Sequence, residues 1–149
     1  MRIDEVKVNK KHYLNLLLLG DEQESMIDKY LERSKTYVMV DNSENAIAVA
    51  VVTHEGNGVL ELKNLVVSPS CQRKGYGRKM IEFLCEHYKD LYHTLQAGTG
   101  DSKQTMSFYN NCHFTYSHTV PDFFVTNYDH LIIEEGKILR DMIYFKKNI

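Results

Sequence analysis

The stretch Leu65-Val66-Val67-Ser68-Pro69-Ser70-Cys71-Gln72-Arg73-Lys74-Gly75-Tyr76-Gly77-Arg78 joins an apolar run to a helical pattern through a glycine-bearing loop. Glycine lets backbone N–H groups come close to a ligand, and the positive end of the helix that follows favours an anion such as a pyrophosphate. Phosphate binding is the chemistry this predicts. No G-x-x-x-x-G-K-[ST] is present, and Gly75-Tyr76-Gly77-Arg78-Lys79-Met80 lacks the third glycine of a dinucleotide fingerprint. A glycine pair alone also serves as a structural turn. Arg73, Lys74, Arg78 and Lys79 read equally as phosphate partners and as a solvated face.

Periodicity predicts the elements that position this loop. Arg2 to Val8 reads as a strand, followed by a helix carrying Tyr13, Leu14, Leu17 and Leu18. A second helix begins at Asp21, where Asp21 and Glu24 have capping-box spacing and Met26, Ile27, Tyr30 and Leu31 follow at helical intervals. Thr36 to Val40 and Ala46 to Thr53 form a hairpin around Asp41 to Asn45. Val59 to Val67 is the central-strand candidate, alternating Leu60 and Leu62 with Glu61 and Lys63 before the run Leu65-Val66-Val67. A helix from Gly75 carries Met80, Ile81, Leu84, Cys85 and Tyr88 on one stripe. Leu91 to Ala97 is the next strand, Asp101 or Ser102 caps a helix through Asn111, and Phe114 to Val120 is again a strand. Ile138 to Phe145 pairs with Leu131 to Ile133 around Glu134-Glu135-Gly136-Lys137. The layout is mixed α/β.

An apolar strand, a proline, Gln72-Arg73-Lys74-Gly75-Tyr76-Gly77 and an amphipathic helix, in that order, resemble the Q/R-x-x-G-x-G/A motif with which the GNAT superfamily of N-acetyltransferases binds acetyl-CoA. The resemblance extends over nearly the whole chain. It implies a mixed, mostly antiparallel central sheet flanked by helices, and acetyl-CoA as cosubstrate without a metal. It also implies that Leu65, Val66 and Val67 lie beside a bulge where pantetheine inserts and a main-chain N–H polarises the thioester. Gln72, Arg73, Lys74, Gly75, Tyr76, Gly77 and Arg78 then hold the pyrophosphate, and Ser102 opens a helix near the cofactor arm.

An ammonium acceptor must lose a proton before it attacks, so the site needs a base. Glu61 has the spacing of the catalytic glutamate in the histone-acetyltransferase branch, while plain strand alternation leaves it facing solvent. Phe108-Tyr109-Asn110-Asn111-Cys112-His113-Phe114 resembles the family's F-Y-x-x-x-G-F, whose tyrosine protonates the departing thiolate. His113 stands where that pattern has glycine, and Ser102 where an asparagine is common. Pro121 to His130 is an aromatic loop with two carboxylates, suited to a cationic amine or to packing. The expected function is transfer of an acetyl group to a primary amine of a small molecule or peptide in a ternary complex. A GNAT-like module that binds acyl-CoA without turnover is the alternative.

The chain has 149 residues, 43% apolar and 26% charged, which fits one globular domain spanning residues 1–149. A net charge of −2 supplies no basic field and sets nucleic acid aside as a partner. Three cysteines without C-x-x-C spacing fit reduced thiols. The longest leucine run, Leu16 to Leu19, falls far short of the roughly 18 apolar residues of a membrane span, and the first residues lack a signal-peptide pattern. A cytoplasmic location is therefore expected. The histidines show no H-E-x-x-H pattern, so no metal site is expected. The partners implied are acetyl-CoA and an amine acceptor, with a homodimer as the open assembly.

Overall fold

The β-branched runs of the first half pair as antiparallel neighbours, and the later runs add a parallel step that opens the sheet. In the computed structural model, which describes residues 1–149, β1 (Arg2–Val6) leads through a 3-10 turn (Lys10–Tyr13) to α1 (Leu14–Gly20) and α2 (Glu24–Ile27). Then follow β2 (Lys35–Val40), β3 (Ala46–His54), β4 (Val59–Val67), α3 (Tyr76–Tyr88), β5 (Thr94–Gly100) and α4 (Lys103–Asn111). The chain continues through β6 (Thr115–Val120), α5 (Phe123–Asn127), β7 (Ile133–Glu134), β8 (Lys137–Ile138) and β9 (Met142–Asn148). Seven strands form one sheet in the order β1-β2-β3-β4-β5-β9-β6, with β4 and β5 as its parallel pair. The expected mixed, mostly antiparallel sheet flanked by helices is present.

Two cores sandwich this sheet because β3 is apolar on both faces. Ala48, Ala50 and Val52 point to the side covered by α3, where Met80, Ile81 and Leu84 are at most 1% exposed. Val49 and Val51 point to the side of α1 and α2, against Leu17, Ile27 and Leu31. Each such aliphatic side chain contributes about 1.5–3 kcal/mol on leaving water. The helical stripe read from α3 is the stripe that is buried, with Cys85 only partly covered.

Several boundaries differ from the periodicity reading, each for a local reason. The Asp21–Glu24 capping box does not form. Gln23 stands at the N-cap of α2 without a side-chain capping bond, and the Asp21 carboxylate is taken by the hydroxyls of Tyr30 and Tyr128. β5 starts at Thr94 instead of Leu91, because the N–H groups of Leu91 and Tyr92 turn back to the Tyr88 carbonyl and leave Leu91 exposed. Ile138 to Phe145 is not one element. Ile138 pairs with Ile133 in a two-stranded hairpin, while β9 lies between β5 and β6 in the main sheet. The aromatic segment holds the short helix α5, whose Phe124 packs with Ile132 and Leu139. No helix is long and apolar enough to cross a membrane.

Candidate active site

A bulge in β4 shapes the site. Val52 pairs with Leu62 and Val51 with Asn64, leaving Lys63 as the extra residue. Side chains alternate along a strand, so one inserted residue reverses the alternation and bends the chain. Leu62 faces α3, and Asn64 is turned to the α1 side opposite Val51. Beyond the bulge Leu65 and Val67 face α3, and Val66 faces α1. Pairing of β4 with β5 ends at Leu62 and Ala97, yet β5 stays paired with β9 through Gly100 and Met142. The two strands part there, and the freed edges flank an opening.

On the α3 side the opening leads into a cleft of ≈ 530 Å³ lined by Leu65, Val67, Gln72, Arg73, Gly75, Tyr76, Gly77 and Arg78. Gly75 caps α3 at φ 85, a left-handed conformation that glycine adopts without penalty. Gly77 has a different role: a Cβ there would lie 3.0 Å from the Phe108 ring, so its absence lets α3 close on α4. Gln72 donates through Nε2 to the Val67 carbonyl at 3.1 Å, bracing the loop against the end of β4. Arg78 reaches the Asn111 carbonyl at 2.6 Å, so its guanidinium spans the cleft from α3 to α4. The first N–H groups of α3 have no side-chain cap, which leaves an anion-binding end. Lys74 and Val66 do not line this cleft, and Lys79 lies over the Tyr76 ring.

Tyr109 stands where this cleft meets a second cavity of ≈ 250 Å³ between the parted strands; both are lined by Leu65, Thr105 and Tyr109. Its ring stacks on Phe145 and meets Phe108 and Phe114 edge-on, fixing the direction of the hydroxyl. Burial pushes its pKa up, and no hydrogen bond holds the hydroxyl. A neutral, unpartnered phenol is a proton donor in waiting. Ser102 is buried at the N-cap of α4, its hydroxyl bound to that of Thr105 at 2.8 Å, and so it reaches the cavities only through Thr105. His113, in the place of the pattern's glycine, adopts φ 69. The turn is thus the left-handed one that glycine would favour.

Glu61 does not face solvent: it is 5% exposed, bound by Lys63 Nζ at 2.7 Å and by the Gln96 side-chain amide. It lines a third cavity of ≈ 220 Å³ with Tyr144 and Asp21, a cavity that Tyr109 does not line. Burial, with the Glu61 and Glu55 charges behind it, raises the Tyr144 pKa to about 12. The second and third cavities share Asp21, Leu62, Lys63, Gly98, Tyr128 and Met142 and so lie side by side.

Three residues beside these cavities were not singled out from the sequence as site residues, Asp21, Tyr30 and Asn64, whereas Tyr128 lies in the Pro121 to His130 loop read as suited to a cationic amine or to packing. Asn64 donates to the Leu17 carbonyl at 3.0 Å and to the Tyr30 hydroxyl at 3.3 Å, and Tyr30 in turn donates to Asp21 at 2.9 Å. The signal available for Asn64 was its polar side chain interrupting the run that ends in Leu65-Val66-Val67. Asp21 had the spacing of a cap, which hid it. Among the described residues no group of His, Cys, Asp and Glu is arranged to hold a metal ion.

The family model of the acetyltransferase (GNAT) family matches residues 10–114. The chain is 33% identical over 145 residues, 96% of its length and 93% of the relative's, to the uncharacterized N-acetyltransferase YvbK of Bacillus subtilis (strain 168). A Bacillus subtilis acetyltransferase in complex with CoA superposes with a TM-score of 0.90 at 31% identity, over 99% of this chain and 98% of that one. A GNAT family acetyltransferase from Elizabethkingia anophelis with acetyl-CoA bound gives a TM-score of 0.92 at 26% identity, over 99% and 97% of the two chains. The parted strands and the glycine loop agree with that kinship: the chain belongs to the GNAT acetyltransferase family and is an N-acetyltransferase.

Proposed function

We propose that this enzyme moves the acetyl group of acetyl-CoA directly to a primary amine of a small molecule or peptide within a ternary complex. One observation carries the reading: β4 and β5 part beyond Leu62 and Ala97, next to the glycine loop, with the free Tyr109 hydroxyl at the junction of the two cavities. Pantetheine enters between the freed edges, and the pyrophosphate rests on the N–H groups from Gln72 to Arg78. A main-chain N–H on the freed edge of β4, at Val67, donates to the thioester oxygen as negative charge develops there. Glu61, through water, takes a proton from the ammonium. The amine nitrogen bonds to the carbonyl carbon, the carbon–sulfur bond breaks, Tyr109 gives its proton to the leaving thiolate, and the second proton shed by the acetylated nitrogen restores the phenol through solvent.

A thermal-shift titration with acetyl-CoA, with ATP and NAD as controls, tests the cofactor half. At about a hundred times its dissociation constant a ligand adds roughly 2.7 kcal/mol, a rise of several degrees in Tm. Thiol release in the same samples across an amine panel tests the transfer half. A shift selective for acetyl-CoA together with amine-dependent release is expected; no shift with any CoA ligand overturns the reading.

A further inference from the structure

The bulge in β4 delivers a cation to Glu61. Glu61 and Lys63 stand two residues apart, which sets them on one face of the strand, and both line the third cavity. Gln96 is the register partner of Glu61 on the parallel neighbour β5. Each carboxylate oxygen therefore has one fixed donor, Oε1 the Gln96 amide and Oε2 the Lys63 ammonium at 2.7 Å. A carboxylate has about four lone-pair sites, so capacity remains on each oxygen for a water in the cavity.

No other cation is paired with Glu61. Arg33 is taken by Glu55 at 3.2 Å, Lys29 is exposed at the cavity wall, and Lys146, the register partner of Gln96 on β9, is exposed as well. The remaining titratable groups around the cavity are Asp21, which holds the hydroxyls of Tyr30 and Tyr128, and Tyr144, a phenol that burial and the Glu61 and Glu55 charges keep neutral. Stability does not account for the pair, since a desolvated ion pair is often no better than apolar side chains of the same size. Losing only the cation is a different matter. A carboxylate left uncompensated away from water takes up a proton, and a protonated carboxyl cannot serve as a base. Bulges beside active sites re-aim a side chain, and here the extra residue is the lysine itself.

We propose that Lys63 is a positioning residue for the base: its ammonium holds Glu61 as a carboxylate facing the third cavity, while Gln96 fixes the other oxygen. This role rests on the transferase reading above, in which Glu61 takes the proton of the acceptor. Lys63 acts through Glu61 and gives up no proton of its own.

Carbon-13 NMR of the glutamate side-chain carboxyls, followed against pH on the full chain, reads Glu61 directly, and the resonance missing from Glu61→Gln assigns it. Lys63→Met should raise the midpoint of that resonance by about one pH unit or more, as expected on losing an opposite charge at this distance, and Lys63→Arg should bring it back. In thiol release from acetyl-CoA with the amine panel, the ascending limb of kcat should move up with the midpoint in Lys63→Met and return in Lys63→Arg. The thermal shift with acetyl-CoA reports that each variant is folded, and Lys63→Gln takes the place of Lys63→Met where the latter does not melt cooperatively. A midpoint that stays in place without Lys63, or that moves equally in Lys63→Arg, overturns the proposal whatever the rates. A midpoint that moves while the kinetic limb does not, or native turnover in Glu61→Gln, overturns Glu61 as the base and with it the catalytic part of the proposal, while the pairing stands. The NMR half needs no acceptor, so it decides the pairing even where no amine releases thiol.

Discussion

The cleft beside the glycine loop and the cavity between the parted strands meet at Tyr109, yet they are built in different ways. The cleft is mostly the work of one continuous stretch, Leu65 to Arg78, and its main tools are backbone: a left-handed Gly75, a Cβ-free Gly77 and the uncapped start of α3. The cavity between the parted strands is the work of side chains brought from far apart, with Tyr128 reaching Asp21 across 107 positions of sequence. An invariant cosubstrate is met by main chain, which substitution changes least. In the proposed reading the amine is met by side chains, which substitution changes most.

Variants on either side of this boundary sharpen the contrast. The largest effect is expected from Glu61→Gln, which should lower kcat by about 10²–10⁴-fold if the base acts on the acceptor alone; calorimetry should find acetyl-CoA affinity unchanged. Tyr109→Phe should cost about 10²-fold, equally in kcat and in kcat/KM, since the proton is needed only as the thiolate departs. A rise in KM for acetyl-CoA at constant kcat would instead make Tyr109 a wall of the cleft. Gly77→Ala pushes on the Phe108 ring and should cost about 1–3 kcal/mol of stability together with acetyl-CoA affinity. Thermal melts with and without ligand read both, and unchanged affinity would break the claim that the α3–α4 closure shapes the cleft. The smallest effect is a gain: His113→Gly relieves a left-handed residue and should add about 1 kcal/mol, or roughly 2–4 °C in Tm, with kcat untouched.

The pH profile tests the acid independently. Burial raises the Tyr109 pKa above the ordinary tyrosine value of about 10, so the folded state favours the neutral phenol. That contribution is fully present below pH of about 10 and is lost only as pH rises through the folded value. The kcat profile should therefore show no descending limb from Tyr109 between neutrality and about pH 10. A limb with an apparent pKa near 8 that disappears in Tyr109→Phe would remove Tyr109 as the acid.

The same boundary divides what could be read from the sequence. The glycine loop, the α3 stripe and the β2–β3 hairpin are local patterns, and periodicity with turn chemistry located each within a few residues. Glu61 shows where locality ends. Alternation put it on the face opposite Leu60 and Leu62, which is correct, and made that face solvent, which is not, because the Lys63 bulge and the C-terminal strands enclose it. Asp21 had two competing local meanings, and long-range tyrosines decided between them. The placement of β9 between β5 and β6 follows from sheet pairing that no window of sequence contains.

The extra residue at Lys63 also sets what kind of change this strand can absorb. Replacing one side chain by another on β4 alters a wall, a charge or a contour, and the cavities adjust around it. Removing Lys63 itself would heal the bulge and leave Leu65 and Val67 on the α3 side and Val66 on the α1 side, whereas removing or adding a residue beyond it acts as a parity switch that reverses every face downstream. Descent along this strand is therefore free in spelling and, outside the bulge, fixed in count.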